Sequence, residues 1–491
     1  MNDLAEKALH GAQVAARQVA RRPVAPLVLL GFAAAAVVVV AGGRLGAAAD
    51  VVALSGWLDL QASPNYRISN AIPGAAMVAG IVALLILWVL VLELARRNRI
   101  SERQMWTVVG AWAMPFVVGP PQLSTDVYTY TAHGLLSRRG LDPYKYAPDV
   151  LHTSAVVNAI DPTWRGSPST GGPLTTLIEH LAASITASHP LAMVIAFRVL
   201  GVVSAVAIGV FAAELAGTRR VAAIAFTTGN PAVLLYIVSG CHLTGPLIAL
   251  VLASLVAATR GRWSYAVVLA CLAAGVNPIA LVAVPVIIAV HAIGQRNRIS
   301  WQIAIRDGVL AVATLTIATL IVPDGLGWLR NINVITREHT LFAPANLVSD
   351  LISSVVHAAS YDDLAVGGRI AALLAAVTVV SYLLVTVLER PLERTIGYAL
   401  LGIGLLAPVL YPWYLLWGVL CLAPAATRSR RDWLIALSCF ACLLNPPGFA
   451  NPTSQYVTAG ALAVLAALLI PRLRHWHHAD AQRFAPQPTE P

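Results

Sequence analysis

The sequence predicts an all-α polytopic membrane protein, and three observations carry that prediction. Of its 491 residues 58% are hydrophobic and only 11% charged, against roughly 25% charged in a soluble domain. Apolar runs such as 26–43, 75–95 and 371–388 approach the ~20 residues that cross a bilayer. The runs are continuous rather than alternating, which selects helices over a β-barrel.

The elements follow in order. Residues 1–25 form a basic, amphipathic cytoplasmic lead. Spans are predicted near 26–43, 73–95 and 104–119, then 191–217, 221–238, 243–259, 263–275 and 278–292. The last group lies near 306–323, 367–388, 395–410, 413–426, 432–445 and 455–471. Together they make a bundle of about 12–14 transmembrane or re-entrant helices. The stretches 263–275, 278–292 and 432–445 are short for a straight crossing and suit re-entrant or tilted elements. Spans 26–471 read as a single transmembrane domain with outer loops at 44–72, 120–190 and 324–366, followed by a cytoplasmic tail, 472–491. The tail is basic, then Pro-rich, a composition that disfavours a packed structure.

Charge sets the orientation. The net charge is +10, but it is not spread as a nucleic-acid surface would be. Basic groups recur on alternate connections, for example Arg96, Arg97, Arg99 and Arg103, then Arg219 and Arg220, then Arg428, Arg430 and Arg431. That is the positive-inside pattern. It implies a multi-pass protein of the plasma membrane with both termini cytoplasmic, and it argues against nucleic acid as a partner. The inner connections are short, whereas the outer loops are long and rich in Asp, Arg, His, Trp, Tyr, Pro and Gly. Chemistry is therefore expected on the outer face. The basic residues outside the pattern, among them Arg198, Arg330, Arg337 and Arg369, need another explanation. Cys241, Cys271, Cys421, Cys439 and Cys442 lie in or at the edge of apolar segments without a CxxC motif, and read as free thiols.

Asp126 occupies the most informative stretch, 120–130, directly after an apolar run. A carboxylate there lies at headgroup level, where low-dielectric surroundings tune protonation. A helix from about 127 to 138 would place Tyr130, His133 and Gly134 on one face. Asp126 would then stand at its N-cap, so a capping role competes with a chemical one. Leu141-Asp142-Pro143-Tyr144 reads as a turn after Gly140. No second carboxylate stands at close spacing to Asp126, and His133 alone is a weak ligand, so no obligatory divalent metal is expected.

At this point the chain resembles a known family. Asp126-Val127-Tyr128-x-Tyr130-x-x-x-Gly134 followed by Gly140-Leu141-Asp142-Pro143-Tyr144 is similar to the actinobacterial polyprenol-phosphate-mannose-dependent α-1,6-mannosyltransferases of the glycosyltransferase C superfamily. Asp161-Pro162-x-Trp164, Asn230-Pro231, Gly240-x-His242, Gly325-Leu326-Gly327-Trp328 and Pro412-Trp413-Tyr414-Leu415-Leu416-Trp417 extend the resemblance through most of the chain. Three positions depart from the family pattern. Leu243-Thr244 follow His242 in place of Asn and an acidic residue, Asn277 stands about where a lysine is usual, and the Tyr-Gly-Pro turn is Gly171-Gly172-Pro173.

The resemblance implies a GT-C-type bundle with an outer-face active site. It implies a polyprenyl-phosphate-mannose donor and a mannosylated lipid or growing α-1,6-mannan of lipomannan and lipoarabinomannan as acceptor. No prosthetic group is implied. The donor's β linkage would become α, so the reaction would invert, and Asp126 would be the single general base. Arg198, His242, Arg330 and Arg337 are the expected donor phosphate or sugar contacts. Tyr128, Tyr130, His133, Trp413 and Tyr414 are expected at the acceptor or lipid groove. Each has a plainer reading: Arg198 as a snorkelling side chain, Trp413 and Tyr414 as an interfacial aromatic belt. A lipid-linked sugar transporter and a non-catalytic member of the same fold stay open as alternatives on the sequence alone.

Overall fold

The computed structural model describes residues 24–44, 71–152, 155–294, 298–337, 342–355, 361–426, 428–444 and most of 457–470. The expected lead 1–25, the loop 44–72, the connection between the last two predicted spans and the tail 472–491 fall almost wholly outside the described residues. No β-strand occurs among the described residues.

Helices α1 (Val24–Arg44), α2 (Ala71–Arg96) and α3 (Glu102–Val118) open the bundle. Ser101 starts α3 through a capping box with Gln104, which satisfies two backbone donors. The helix stops at Gly119, before Pro120-Pro121 remove further donors. Indole hydrogen bonds fasten this group: Trp112 Nε1 donates to the Leu27 carbonyl at 2.9 Å and Trp88 Nε1 to the Ala225 carbonyl at 2.7 Å. Both rings are fully buried, where an unpaired N–H would be costly.

Helices α4 (Asp126–Arg138) and α5 (Pro173–Ile185) pack on each other in the segment predicted as the large loop. They are followed by α6 (Pro190–Leu215), α7 (Arg220–Phe226) and α8 (Thr244–Thr259). Between α7 and α8 the chain forms a π-helical stretch, Val233–Ser239, and then turns through 110° into α8. The sequence predicts two separate spans here, 221–238 and 243–259. The structure gives a bent pair here, and Gly240 lies in the break between its two helices. Next come α9 (Trp263–Val276), α10 (Ala283–Ile293), α11 (Trp301–Leu320), α12 (Pro344–Val355), α13 (Tyr361–Val385), α14 (Leu392–Leu406), α15 (Pro412–Leu422) and α16 (Arg428–Leu443).

Five described helices, α1, α2, α6, α11 and α13, have the length and apolarity to cross a membrane, and the bent pair before and through α8 would make a sixth. The shorter apolar helices pack within the bundle; α15 is buried over most of its length. The protein is an all-α, multi-pass membrane protein. Its five cysteines are free and buried.

Candidate active site

The site is built where the break before α8 meets the start of α4. Asp126 is the first residue of α4, and Thr125 occupies the N-cap without a side-chain cap bond. The Asp126 carboxylate is thus not used as a cap. Its Oδ2 lies 2.9 Å from His242 Nε2, and His242 sits inside the helix break. The two groups are at ion-pair distance but not aligned as a hydrogen bond, since His242 Nε2 lacks a hydrogen-bonded partner. Such misalignment is common before substrate arrives. Tyr130, one turn along α4, brings its hydroxyl to 3.3 Å from His242 Nδ1. Burial, with the charges of Asp126 and Glu179 adding to it, pushes the Tyr130 phenol well above its ordinary value, so it stays a neutral donor.

Backbone strain flanks both partners. Leu123 and Cys241 hold φ of 61° and 55°, a region that L side chains rarely enter. Leu123 lies three residues before Asp126, and Cys241 directly before His242. The His242 ring is covered by Trp413, with centroids 4.0 Å apart. Trp413 in turn stacks on Tyr411 at 4.7 Å, and Tyr414 stacks on Trp417 at 4.2 Å.

These residues line a cavity of about 580 Å³. Asp126, Tyr130, His133, Glu179, His242, Asn277, Trp328, Arg369, Trp413 and Tyr414 all form part of its wall. Asp126 is accessible, with 27% of its side chain exposed, whereas His242 is buried. Glu179 was not singled out by the sequence. Its carboxyl lies 3.4 Å from His133 Nδ1, both side chains are almost fully buried, and neither is aligned to hydrogen-bond. Gly134 makes this arrangement possible, because a Cβ there would stand 2.5 Å from the Glu179 carbonyl oxygen. Burial raises the Glu179 carboxyl above its ordinary range, against a smaller opposing pull from His133.

The departures from the family pattern also acquire positions. Gly172 packs against the end of α9, where a Cβ would meet the Gly275 carbonyl at 2.3 Å. Thr175 then donates to the Val276 carbonyl at 2.7 Å, fixing α5 to α9. Asn277 caps the turn after α9 by accepting from Ile279 N at 3.1 Å. Its side chain lines the cavity as a neutral group.

The predicted site residues therefore separate. Asp126, Tyr130, His133, His242, Trp413 and Tyr414 come together around one cavity. Tyr128 is buried and is not on its wall. Arg198 is also buried, and is held by the carbonyls of Phe116, Val117, Gly119 and Ser239 and by Cys241 Sγ. It joins the end of α3 to the helix break and does not reach the cavity wall. Arg330 pairs with Asp324, is more than half exposed, and is likewise off the wall. Arg337 ends a 3-10 turn, Ile332–Arg337, and its side chain lies outside the described residues.

Sequence comparison gives a consistent result. The model for alpha-(1->6)-mannopyranosyltransferase, N-terminal domain, matches residues 28–293, and the model for the MptB C-terminal domain matches residues 345–472. The chain is 25% identical to a probable alpha-(1->6)-mannopyranosyltransferase of Mycolicibacterium smegmatis, across 89% of this chain and 87% of the relative. It is 26% identical to alpha-(1->6)-mannopyranosyltransferase B of Corynebacterium glutamicum, across 84% and 76%. Against alpha-(1->6)-mannopyranosyltransferase A of Mycobacterium tuberculosis the identity is 25%, across 73% and 72%.

Proposed function

This chain belongs to the alpha-(1->6)-mannopyranosyltransferase family, and from that premise we propose that it transfers mannose from a polyprenyl-phosphate-mannose to an α-1,6-mannan acceptor at the outer face of the plasma membrane. It is a glycosyltransferase of the membrane, and the finer assignments rest on the site. The observation that carries them is the Asp126–His242 pair, 2.9 Å apart on the wall of the cavity of about 580 Å³.

Asp126 is the general base of this reading. It takes the proton from the acceptor's 6-hydroxyl as that oxygen attacks C1 of the donor mannose. The bond from C1 to the phosphate oxygen breaks from the opposite side, and its electron pair leaves with the polyprenyl phosphate. One displacement converts the β-linked donor into an α-linked product. His242 holds the base in place and, with its covering Trp413, shields one side of it from water. Tyr130 orients His242 through Nδ1. Trp413 and Tyr414 line the part of the cavity that the sugar occupies. No prosthetic group enters the reading. The basic inner connections support cytoplasmic termini, and hence an outward-facing cavity.

The test uses membranes containing the protein, radiolabelled polyprenyl-phosphate-mannose and a short α-1,6-mannoside. Label is expected to pass to the acceptor with inversion. Asp126→Asn is expected to slow the transfer by about 10²–10⁴-fold while the protein still inserts. Transfer at the native rate by that variant removes Asp126 from the chemistry.

A further inference from the structure

The donor in this reading departs as a lipid phosphate, a dianion in the making that needs a cation beside it. Arg198 is committed to backbone carbonyls and Arg330 to Asp324, and neither lines the cavity. Among the described residues on the cavity wall, Arg369 is the only arginine or lysine. It lies on α13, it is half-buried, and its Nε is enclosed without a hydrogen-bond partner. A guanidinium donor left unpaired in such surroundings is costly, and a bidentate anion satisfies it.

The wall beside Arg369 is apolar. Ile370, Leu373 and Ala376 continue along α13, and Ile403 and Leu406 face the cavity from α14. Ile370 and Leu373 line the cavity yet are 54% and 63% exposed. These side chains therefore belong both to the cavity wall and to the outer surface. They lie on α13, the least buried of the five candidate spans, whose exposed apolar side chains suit contact with hydrocarbon.

Resting on the mannosyl-transfer reading, we propose that Arg369 binds the phosphate of the isoprenoid-linked donor, and that the first isoprene units lie along the α13–α14 seam leading from the cavity into the bilayer. The charge complements the phosphate, and the seam complements the tail. The site thus recognises a lipid phosphate rather than a free one.

Purified protein in lipid nanodiscs provides the test, with polyprenyl monophosphate as the binding probe and the labelled donor for kinetics. Arg369→Ala is expected to weaken polyprenyl phosphate binding and raise the donor KM by about 10- to 100-fold, the loss of one charge-assisted contact. The acceptor KM is expected to hold, Arg369→Lys to recover part of the loss, and inorganic phosphate at millimolar concentration not to compete. Should Arg369→Ala fail to fold, Arg369→Gln is read the same way. A folded variant that binds polyprenyl phosphate as the native protein does overturns the proposal, and so does equal competition by inorganic phosphate. Native protein that binds the lipid phosphate through Arg369 but transfers no mannose sinks the enzymatic reading and leaves this site standing.

Discussion

Asp126 shows why a single carboxylate supports two readings until its neighbours are known. At a helix start an aspartate stabilises the exposed amides. Here the cap position belongs to Thr125, and the Asp126 carboxylate turns to His242, 116 positions further along the chain. Nothing local in the sequence specifies that partner. Glu179 is the opposite case, a carboxyl that the sequence gives no reason to notice and burial makes unusual. Its folded pKa is raised, so the folded state favours the protonated form more than the unfolded state does. Stability is then greatest below the ordinary carboxylate range, and is lost as pH rises from there through the raised value. Glu179→Gln keeps the shape and removes the ionisation. Its melting temperature is expected to gain on the native protein as pH rises above about 4, in detergent melts of both proteins; parallel curves would show that the carboxyl ionises without cost.

At the scale of elements, the informative feature is the break between Val233–Ser239 and α8. A continuous helix would carry His242 in a regular ladder, with its side chain set by the helix surface. The 110° turn frees backbone groups that need other partners, and places an imidazole at the corner. Arg198 supplies donors to this region, binding the Ser239 carbonyl on one side and the α3 terminus on the other. Removing it leaves several buried carbonyls unpaired, at about 1–3 kcal/mol each. Arg198→Leu is therefore expected to lower the melting temperature and the yield of folded protein sharply, without a selective change in donor KM among the molecules that fold. A stable variant with a donor-specific defect would instead make Arg198 a ligand contact. The close approach of α4 to α5 at Gly134 belongs to the same scale, since it puts the walls carrying Tyr130 and Glu179 side by side.

For the whole molecule the question is which side the cavity faces. The five native cysteines are buried, so they give little background to a thiol reagent. Val150, 39% exposed, lies in the segment expected outside, and Arg262 lies on the basic connection between α8 and α9 expected inside. Val150→Cys is expected to react with a membrane-impermeant maleimide in intact cells, and Arg262→Cys only after permeabilisation. The reverse pattern would turn the cavity to the cytoplasm and remove the outer-face assignment.

Much of this was legible in the sequence, for reasons that are local or compositional. Apolar run length demands helices because unpaired backbone groups are not tolerated in hydrocarbon, and the runs that became α1, α2, α6, α11 and α13 are visible by inspection. The motif residues Asp126, Tyr130, His242, Trp413 and Tyr414 could also be named from their order along the chain. What the tertiary structure decided is which side chains face one another. Arg198, Arg330 and Arg369 look alike as isolated outer or intramembrane cations, but only packing shows the first bound to carbonyls, the second paired at the surface and the third on the cavity wall. A charged group's role depends on which partners it has and how much water it loses, and both are set by contacts between segments far apart in the chain.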